Sequence, residues 1–238
     1  ETDICGVRYH SNEWKYPNLV SGVMHCREKP TVEYFDPSEQ ALYAHIESLI
    51  PHAYYLRLAG RSRDGQTLII RNSGPNDPGT HYLLHEGALQ LIGAERPWLD
   101  SGNLSNVHYV TYAARDGEVI PAYVTVPRGN PPFPMVVMPH GGPFLKETVI
   151  FDEWAQMLAN NGFLVLQPQY RGSKGYGQRF YQIAFSNGGQ GGYKMQDDKD
   201  DGVAWAVAEG LASGDRVAMF GWSYGGYAAL VAASRTPQ

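Results

Sequence analysis

The chain has 238 residues, of which 43% are hydrophobic and 18% are charged, and its formal net charge is -5. This composition is ordinary for a globular protein and excludes a disordered or fibrous chain. The 19 lysine and arginine residues are scattered along the sequence, so no basic patch indicates nucleic acid as a partner.

Cysteine content and apolar runs narrow the function classes further. Cys5 and Cys26 are too few for a disulfide framework and lack the paired spacing of a zinc site, so we interpret both as ordinary thiols, with a disulfide between them as the alternative. No apolar run approaches the ~20 residues of a membrane span, and the first residues show no signal-peptide pattern. The sequence predicts no metal and no cofactor, and it indicates neither a compartment nor an oligomeric state.

Before residue 105, short apolar runs separated by turn residues predict an antiparallel meander. We expect its four strands at residues 53–59, 66–72, 81–86 and 88–93. A helix precedes them, with Asp36 as N-cap, Pro37 and Glu39 in the first turn, and an apolar face. That face consists of Leu42, Ile46 and Leu49. Four strands in about forty residues are typical of one propeller blade, so residues 1–105 are predicted to be part of a β-propeller.

After residue 105 the pattern changes to alternating strands and helices. A hairpin is predicted first, with strands at 107–114 and 118–127 joined at Arg115-Asp116-Gly117. Further strands are expected at 133–140, 163–170 and 215–221, and helices at 152–162 and 197–210. This alternation predicts an α/β fold with a mostly parallel sheet. The acidic run at 197–201 is predicted to be a solvated helix start.

A G-x-S-x-G motif at residues 221–225 lies between the last predicted strand and a predicted helix over 224–235. In a nucleophile elbow the chain turns from strand to helix at the serine, and this crowding requires glycine at 221 and 225. The free N–H groups and dipole of the helix then point toward an oxyanion at Ser223. Glycine-rich strand ends also occur for packing alone, but the flanking strand and helix favour a nucleophile.

A second motif, H-G-G-P at residues 140–143, ends the predicted strand 133–140. An oxyanion hole needs a second backbone N–H, and in this kind of sheet the loop after that strand supplies it. A plain Gly-Gly-Pro turn is the alternative. The position of the motif favours the functional interpretation.

These motifs, with YRGSKGYG at 170–177 and ARDGEVIPAYVTVP at 114–127, closely resemble the catalytic domain of the prolyl oligopeptidase family of serine peptidases. The acylaminoacyl-peptidase and dipeptidyl-aminopeptidase-like branch is the most similar. Residues 31–100 resemble the last propeller blade region of that family. The resemblance implies that residues 106–238 are the N-terminal portion of an α/β-hydrolase domain acting on short peptides.

The resemblance also implies roles for single residues. Ser223 would be the acyl-forming nucleophile, and the backbone N–H groups of Tyr224 and Gly142 would be the oxyanion donors, although Gly141 is adjacent to Gly142. His140 belongs to the same loop. The other matching loop position is Arg171, for which structural support and substrate contact both stay open.

A serine peptidase also needs a base and an acid, and in this family Asp and then His follow the serine. The 15 residues after Ser223 contain neither, and all eight histidines lie upstream. Asp116 and His108 could serve as an upstream acid and base, but catalytic triads in that chain order occur on other folds. We therefore expect the sequence to be a fragment that lacks most of the propeller and the segments with the catalytic Asp and His.

Two other functions compete with the peptidase. An esterase or lipase of the same fold is one, and the blade-like first half argues against it, because a propeller restricts access to the site. A catalytically inactive interaction module is the other. The intact elbow and oxyanion loop argue against that alternative.

Overall fold

A computed structural model describes residues 4–185 and 191–235. They divide into two units, residues 4–104 with 148–152 and residues 105–147 with 153–235. Among the described helices, none has both the length and the apolar character that crossing a membrane requires.

The unit formed by residues 4–104 and 148–152 begins with a three-stranded antiparallel sheet that the sequence analysis did not predict. Its strands are β1 (Ile4–Tyr9), β2 (Val20–Cys26) and β3 (Pro30–Tyr34), in that spatial order. Pairing of β1 with β2 brings the Cα atoms of Cys5 and Cys26 to 5.9 Å, and the two form a disulfide. The prediction of two ordinary thiols was wrong, because only the pairing of these strands makes the cysteines neighbours.

Helix α1 (Pro37–Leu49) follows this sheet, and its start confirms the predicted N-cap. The Asp36 carboxylate accepts hydrogen bonds from the N–H groups of Ser38 and Glu39 at 2.7 and 3.4 Å. Glu39 is itself buried, and its carboxylate accepts a hydrogen bond from outside the helix. Ile46, on the predicted apolar face, is fully buried.

Four further strands form an antiparallel sheet in sequence order, which confirms the predicted meander. They are β4 (Tyr55–Arg61), β5 (Thr67–Gly74), β6 (Asp77–His85) and β7 (Ala88–Ala94). Ile46 and Ile50 join a buried cluster with Leu68, Ile70 and Leu84 of the sheet. The apolar face of α1 therefore lies against the strands, and a 3₁₀ turn at Ser101–Asn103 follows them.

The other unit is built on a five-stranded sheet. Its strands are β8 (Val107–Ala113), β9 (Val119–Thr125), β10 (Phe133–Val137), β11 (Leu164–Pro168) and β12 (Ala212–Met219). The spatial order is β12-β10-β11-β9-β8, with β10 parallel to β11 and β12, and β9 antiparallel to β8 and β11. The α/β class is confirmed, but the sheet is mixed rather than mostly parallel, because the β8–β9 hairpin is part of it.

Four helices accompany this sheet. They are α2 (Glu153–Asn160), α3 (Gln178–Gln182), α4 (Tyr193–Ala208) and α5 (Tyr224–Arg235). Helix α3 was not predicted, and α4 begins at Tyr193 rather than at residue 197. Asp198 and Lys199 are fully buried, so the prediction of a solvated helix start was wrong at these positions. Their side chains contact Arg171 and Tyr170 inside the unit.

Candidate active site

Ser223 lies at the turn between the end of β12 and the start of α5. Its φ angle is +56°, in the left-handed region that a residue with a side chain rarely adopts. Such a conformation costs about 1–3 kcal/mol and persists only where the surrounding structure enforces it. Ser223 is exposed, so its hydroxyl is accessible from solvent.

The glycines on both sides of Ser223 explain how the turn is enforced. A Cβ atom at Gly225 would lie 2.2 Å from Pro139 O, and a Cβ atom at Gly221 would lie 2.5 Å from the carbonyl carbon of Gly225. Both separations are shorter than any real contact of a side-chain carbon. The end of β10, the end of β12 and the first turn of α5 therefore approach so closely that only glycine fits.

The H-G-G-P loop lies beside the serine. A Cβ atom at Gly141 would be 3.5 Å from Ser223 Cβ and 4.0 Å from Ser223 Oγ. Gly142 has a φ angle of +117°, and a Cβ atom there would lie 2.5 Å from the backbone nitrogen of Phe144. The structure thus brings together the two motifs that the sequence analysis singled out, which begin 81 positions apart in the chain, at residues 140 and 221.

The backbone N–H of Tyr224 is the first of helix α5 and follows Ser223 directly. Of the N–H groups that follow, Gly225 N–H donates to Trp222 O and Tyr227 N–H donates to Ser223 O. Within the part of the chain that the structure describes, Tyr224 N–H donates to no acceptor. This group and the positive end of the helix dipole are therefore available to a negative charge beside Ser223.

His140 is buried and fully engaged. Its Nε2 lies 2.8 Å from Ser173 Oγ, its Nδ1 lies 2.8 Å from Gly141 O, and its ring stacks on Tyr170 at 4.3 Å. The pKa of His140 is lowered to about 4, chiefly by burial, with the nearby Lys199 acting in the same direction and the hydrogen bond to Gly141 O opposing it. The imidazole is neutral at neutral pH, and both its nitrogens are occupied, so His140 supports the loop and is poorly placed to act as a base.

Arg171 is buried, and its guanidinium lies between two carboxylates. Nε and Nη2 donate to Asp198, while Nη1 donates to Asp116 at 2.9 Å. Asp116 also accepts a hydrogen bond from Lys194, and these two cations hold the pKa of the Asp116 carboxyl well below its usual range. This arrangement supports the structural interpretation of Arg171 and leaves Asp116 committed to ion pairs.

Two buried residues near the site were missed by the sequence analysis. Lys199 Nζ lies 3.8 Å from the centre of the Tyr170 ring, and the Tyr170 hydroxyl donates to His140 O at 2.7 Å. Nothing in the acidic run at 197–201 indicates a buried cation, and a tyrosine after a strand is a common packing residue. Their proximity to the loop depends on tertiary packing alone.

A base for Ser223 is not found among the described residues. In that part of the chain, no histidine or carboxylate forms a hydrogen bond with the Ser223 hydroxyl, and no group of three metal-ligating side chains is assembled. Among the described residues, the site therefore holds a serine in a strained conformation and two candidate oxyanion donors, without a group that would activate the serine hydroxyl.

Residues 150–238 match the model of the prolyl oligopeptidase family, and this segment contains Ser223 and its turn. The chain belongs to the prolyl oligopeptidase family. This confirms the resemblance that the two sequence motifs carry. The family is one of serine peptidases, which agrees with an exposed serine in a strained turn.

The sequence similarity of this family member to curated relatives extends well beyond residues 150–238. Dipeptidyl aminopeptidase BIII of Pseudoxanthomonas mexicana is 34% identical over 215 residues, which cover 85% of this chain and 30% of the relative. The human acylamino-acid-releasing enzyme is 36% identical over 118 residues, which cover 50% of this chain and 16% of the relative. The chain thus spans less than a third of the length of these curated relatives.

Solved structures show the same fold over most of the chain. A puromycin-hydrolyzing peptidase of Mycobacterium tuberculosis superposes with a TM-score of 0.70 at 23% identity, covering 90% of this chain and 34% of that one. An acylaminoacyl peptidase of Pyrococcus horikoshii gives a TM-score of 0.64 at 17% identity, with 90% and 34% covered. At these identities the likeness establishes the fold and leaves the substrate open.

Proposed function

We propose that this family member contributes the nucleophile and the oxyanion hole of a serine peptidase, with Ser223 as the residue that attacks the peptide carbonyl. The observation that carries this proposal is the positive φ angle of Ser223 at a strand-to-helix turn. A purely structural serine would have no reason to hold a conformation that costs about 1–3 kcal/mol. The turn directs the hydroxyl outward, beside the H-G-G-P loop.

The second element of the proposal is charge stabilisation. When Ser223 Oγ forms a bond with the carbonyl carbon, the carbonyl oxygen gains the negative charge, and Tyr224 N–H and Gly142 N–H would donate to it. The leaving amine takes a proton, and water then hydrolyses the acyl-enzyme. Gly141, whose missing side chain leaves space against Ser223, allows the substrate backbone to approach.

The proton of Ser223 needs an acceptor, and the family order places an Asp and then a His after the serine. His140 and Asp116 have other partners in the structure. We therefore place the base and the acid in the part of the relatives' length that this chain does not span. The 238-residue chain by itself would then bind a substrate carbonyl without turning it over.

The domain organisation follows from the same proposal. The mixed five-stranded sheet with Ser223 after β12 would be the N-terminal portion of an α/β-hydrolase domain over residues 106–238. The antiparallel sheets of residues 1–105 would be the end of a β-propeller, in which β4 to β7 form one blade. A propeller restricts access to the site, so short peptides are the proposed substrates.

A covalent probe tests the nucleophile. In the complete protein, a fluorophosphonate should label Ser223, and Ser223→Ala should abolish labelling and lower kcat by about 10⁶, as expected for loss of a triad member. Blocked aminoacyl, dipeptidyl and simple ester substrates that share one leaving group should also be compared. Turnover of the ester alone would show that the protein is an esterase and not a peptidase. Full activity of Ser223→Ala would show that Ser223 is not the nucleophile.

A further inference from the structure

A lysine is buried directly behind the candidate oxyanion hole. Lys199 has no exposed surface, and its Nζ donates to Met195 O at 2.7 Å within helix α4. The same ammonium lies 3.8 Å from the centre of the Tyr170 ring and 5.4 Å from the centre of the Tyr224 ring. A buried cation is costly unless it is compensated, and two aromatic faces supply part of that compensation.

No carboxylate forms an ion pair with Lys199 within the described residues. The adjacent carboxylate, Asp198, accepts its hydrogen bonds from Arg171 instead. The titratable groups that act on Lys199 come from every element packed around it, including the loop after β10. They are Asp198 and Asp200 of α4, His140, Tyr170 and Tyr224.

Each of the two rings that Lys199 contacts is connected to one of the two proposed oxyanion donors. Tyr170 holds the H-G-G-P loop, because its hydroxyl donates to His140 O and its ring stacks on the His140 imidazole. Tyr224 carries the other donor on its own backbone nitrogen, and its ring lies 5.9 Å from the Tyr170 ring. Lys199 is thus the group that both halves of the site share.

We propose that Lys199 is a positioning residue whose ammonium, held on Tyr170 and Tyr224, fixes the two oxyanion donors relative to each other and favours negative charge between them. This inference rests on the proposed function of Ser223. A cation in a site of low dielectric acts over longer distances than one in water, so it contributes without touching the substrate. Its loss should lower kcat and leave KM nearly unchanged, because the oxyanion exists only in the transition state.

The charge of this lysine depends on pH near neutrality. Burial lowers the pKa of Lys199 to about 7, so the ammonium is present below that pH and is lost as the pH rises through it. A contribution that depends on the charge should therefore be full at pH 5.5 and nearly absent at pH 8.5. A contribution from packing alone would be the same at both.

The test compares kcat of the complete wild-type protein with that of Lys199→Met across this pH range. The variant should lose about tenfold in kcat at pH 5.5, less than the 10² to 10³ for removal of an oxyanion donor, with KM within about twofold. The wild-type to variant ratio should fall toward 1 at pH 8.5. The pH profile of each protein gives the apparent pKa of its catalytic base, and the kcat values are corrected for that ionisation before the ratio is taken.

Two further variants keep the inference testable. Lys199→Arg retains a positive charge that does not titrate in this range. Its kcat should therefore lack the decrease between pH 6 and 8.5 that the wild type shows as Lys199 loses its proton. This pH profile tests the inference if Lys199→Met does not fold. Lys194→Met removes a half-exposed lysine from the same helix and should match the wild type. A ratio that is constant with pH, or equal kcat values throughout, would overturn the role of Lys199. Absence of fluorophosphonate labelling in the wild type would instead overturn the proposed function.

Discussion

Ser223 is held in its conformation by the close approach of three backbone segments. Pro139 at the end of β10 leaves no room for a side chain at Gly225, and Gly225 in turn leaves none at Gly221. The unfavourable φ angle of Ser223 is maintained by these contacts, because relaxing it would separate the strand ends from α5. The chemistry proposed for the serine thus depends on two residues that have no side chain.

Gly225→Ala should show this dependence. Its methyl group would lie 2.2 Å from Pro139 O, so we expect a loss of at least about 1–3 kcal/mol in unfolding free energy, together with loss of fluorophosphonate labelling. Gly214→Ala in β12 is the control, since its methyl group would lie 3.6 Å from a Val207 side-chain carbon, an ordinary contact, and it should keep wild-type labelling and change stability by less than about 0.5 kcal/mol. Thermal unfolding and labelling measure both effects. Wild-type stability and labelling in Gly225→Ala would contradict this account.

The elbow could be predicted from sequence because its determinants are local. The serine, the two glycines and the flanking strand and helix all lie within residues 212–235. The role of Lys199 could not be predicted in this way. A charged run near a helix start is normally solvated, and Lys199 is buried only because α4 packs against Tyr170 and Tyr224, which are distant in sequence.

At the scale of elements, Arg171 connects three of them. It follows β11, and it binds Asp116 in the turn between β8 and β9 and Asp198 in α4. Asp198 has no exposed surface, so its charge is compensated mainly by this guanidinium. Removing one partner of a buried ion pair leaves the other charge uncompensated, so it lowers the unfolding free energy more than the loss of a surface pair does.

Arg171→Met should therefore lower the unfolding free energy by about 3–5 kcal/mol. Arg216→Met is the control, because Arg216 and its partner Asp215 are both exposed, and an ion pair at the surface contributes at most about 1 kcal/mol. Denaturant unfolding of both variants gives the difference. If Arg171 contacts the substrate instead, Arg171→Met should keep its stability and raise KM in the complete protein.

The meander, the hairpin and the larger helices could be predicted because each shows its own period along the chain. The sheet of β1 to β3 was missed for a local reason. Register irregularities between Ile4 and Gly6 and between Arg8 and Tyr9 interrupt the regular alternation of inward and outward residues. Helix α3 has only five residues, which is too short for a helical period to be recognised.

At the scale of the whole chain, the two units differ in how their cores are built. The unit with the five-stranded sheet buries a large cluster that includes Met135, Val137, Leu164 and Leu166. The main cluster of the other unit has five buried residues, on α1 and the four-stranded sheet. Its three-stranded sheet carries the disulfide, and a cross-link matters most where apolar burial is modest. Pairing of two cysteines could not be inferred without knowing that β1 and β2 are adjacent.

The disulfide leads to the last prediction. Cys5 and Cys26 are separated by 21 positions, and closing a loop of this size stabilises the folded state by about 3 kcal/mol, chiefly by restricting the unfolded chain. Reduction, or the double substitution Cys5→Ala with Cys26→Ala, should therefore lower the unfolding free energy by about that amount. These are the two cysteines of the chain, so the denatured, unreduced protein should contain no titratable thiol and the reduced protein should contain two. Ser213→Ala, at an exposed hydrogen bond to Asp215, is a control that should change stability by less than about 0.5 kcal/mol. Two free thiols in the unreduced protein would show that β1 and β2 are not cross-linked, and an unchanged unfolding free energy after reduction would show that the cross-link does not stabilise this unit.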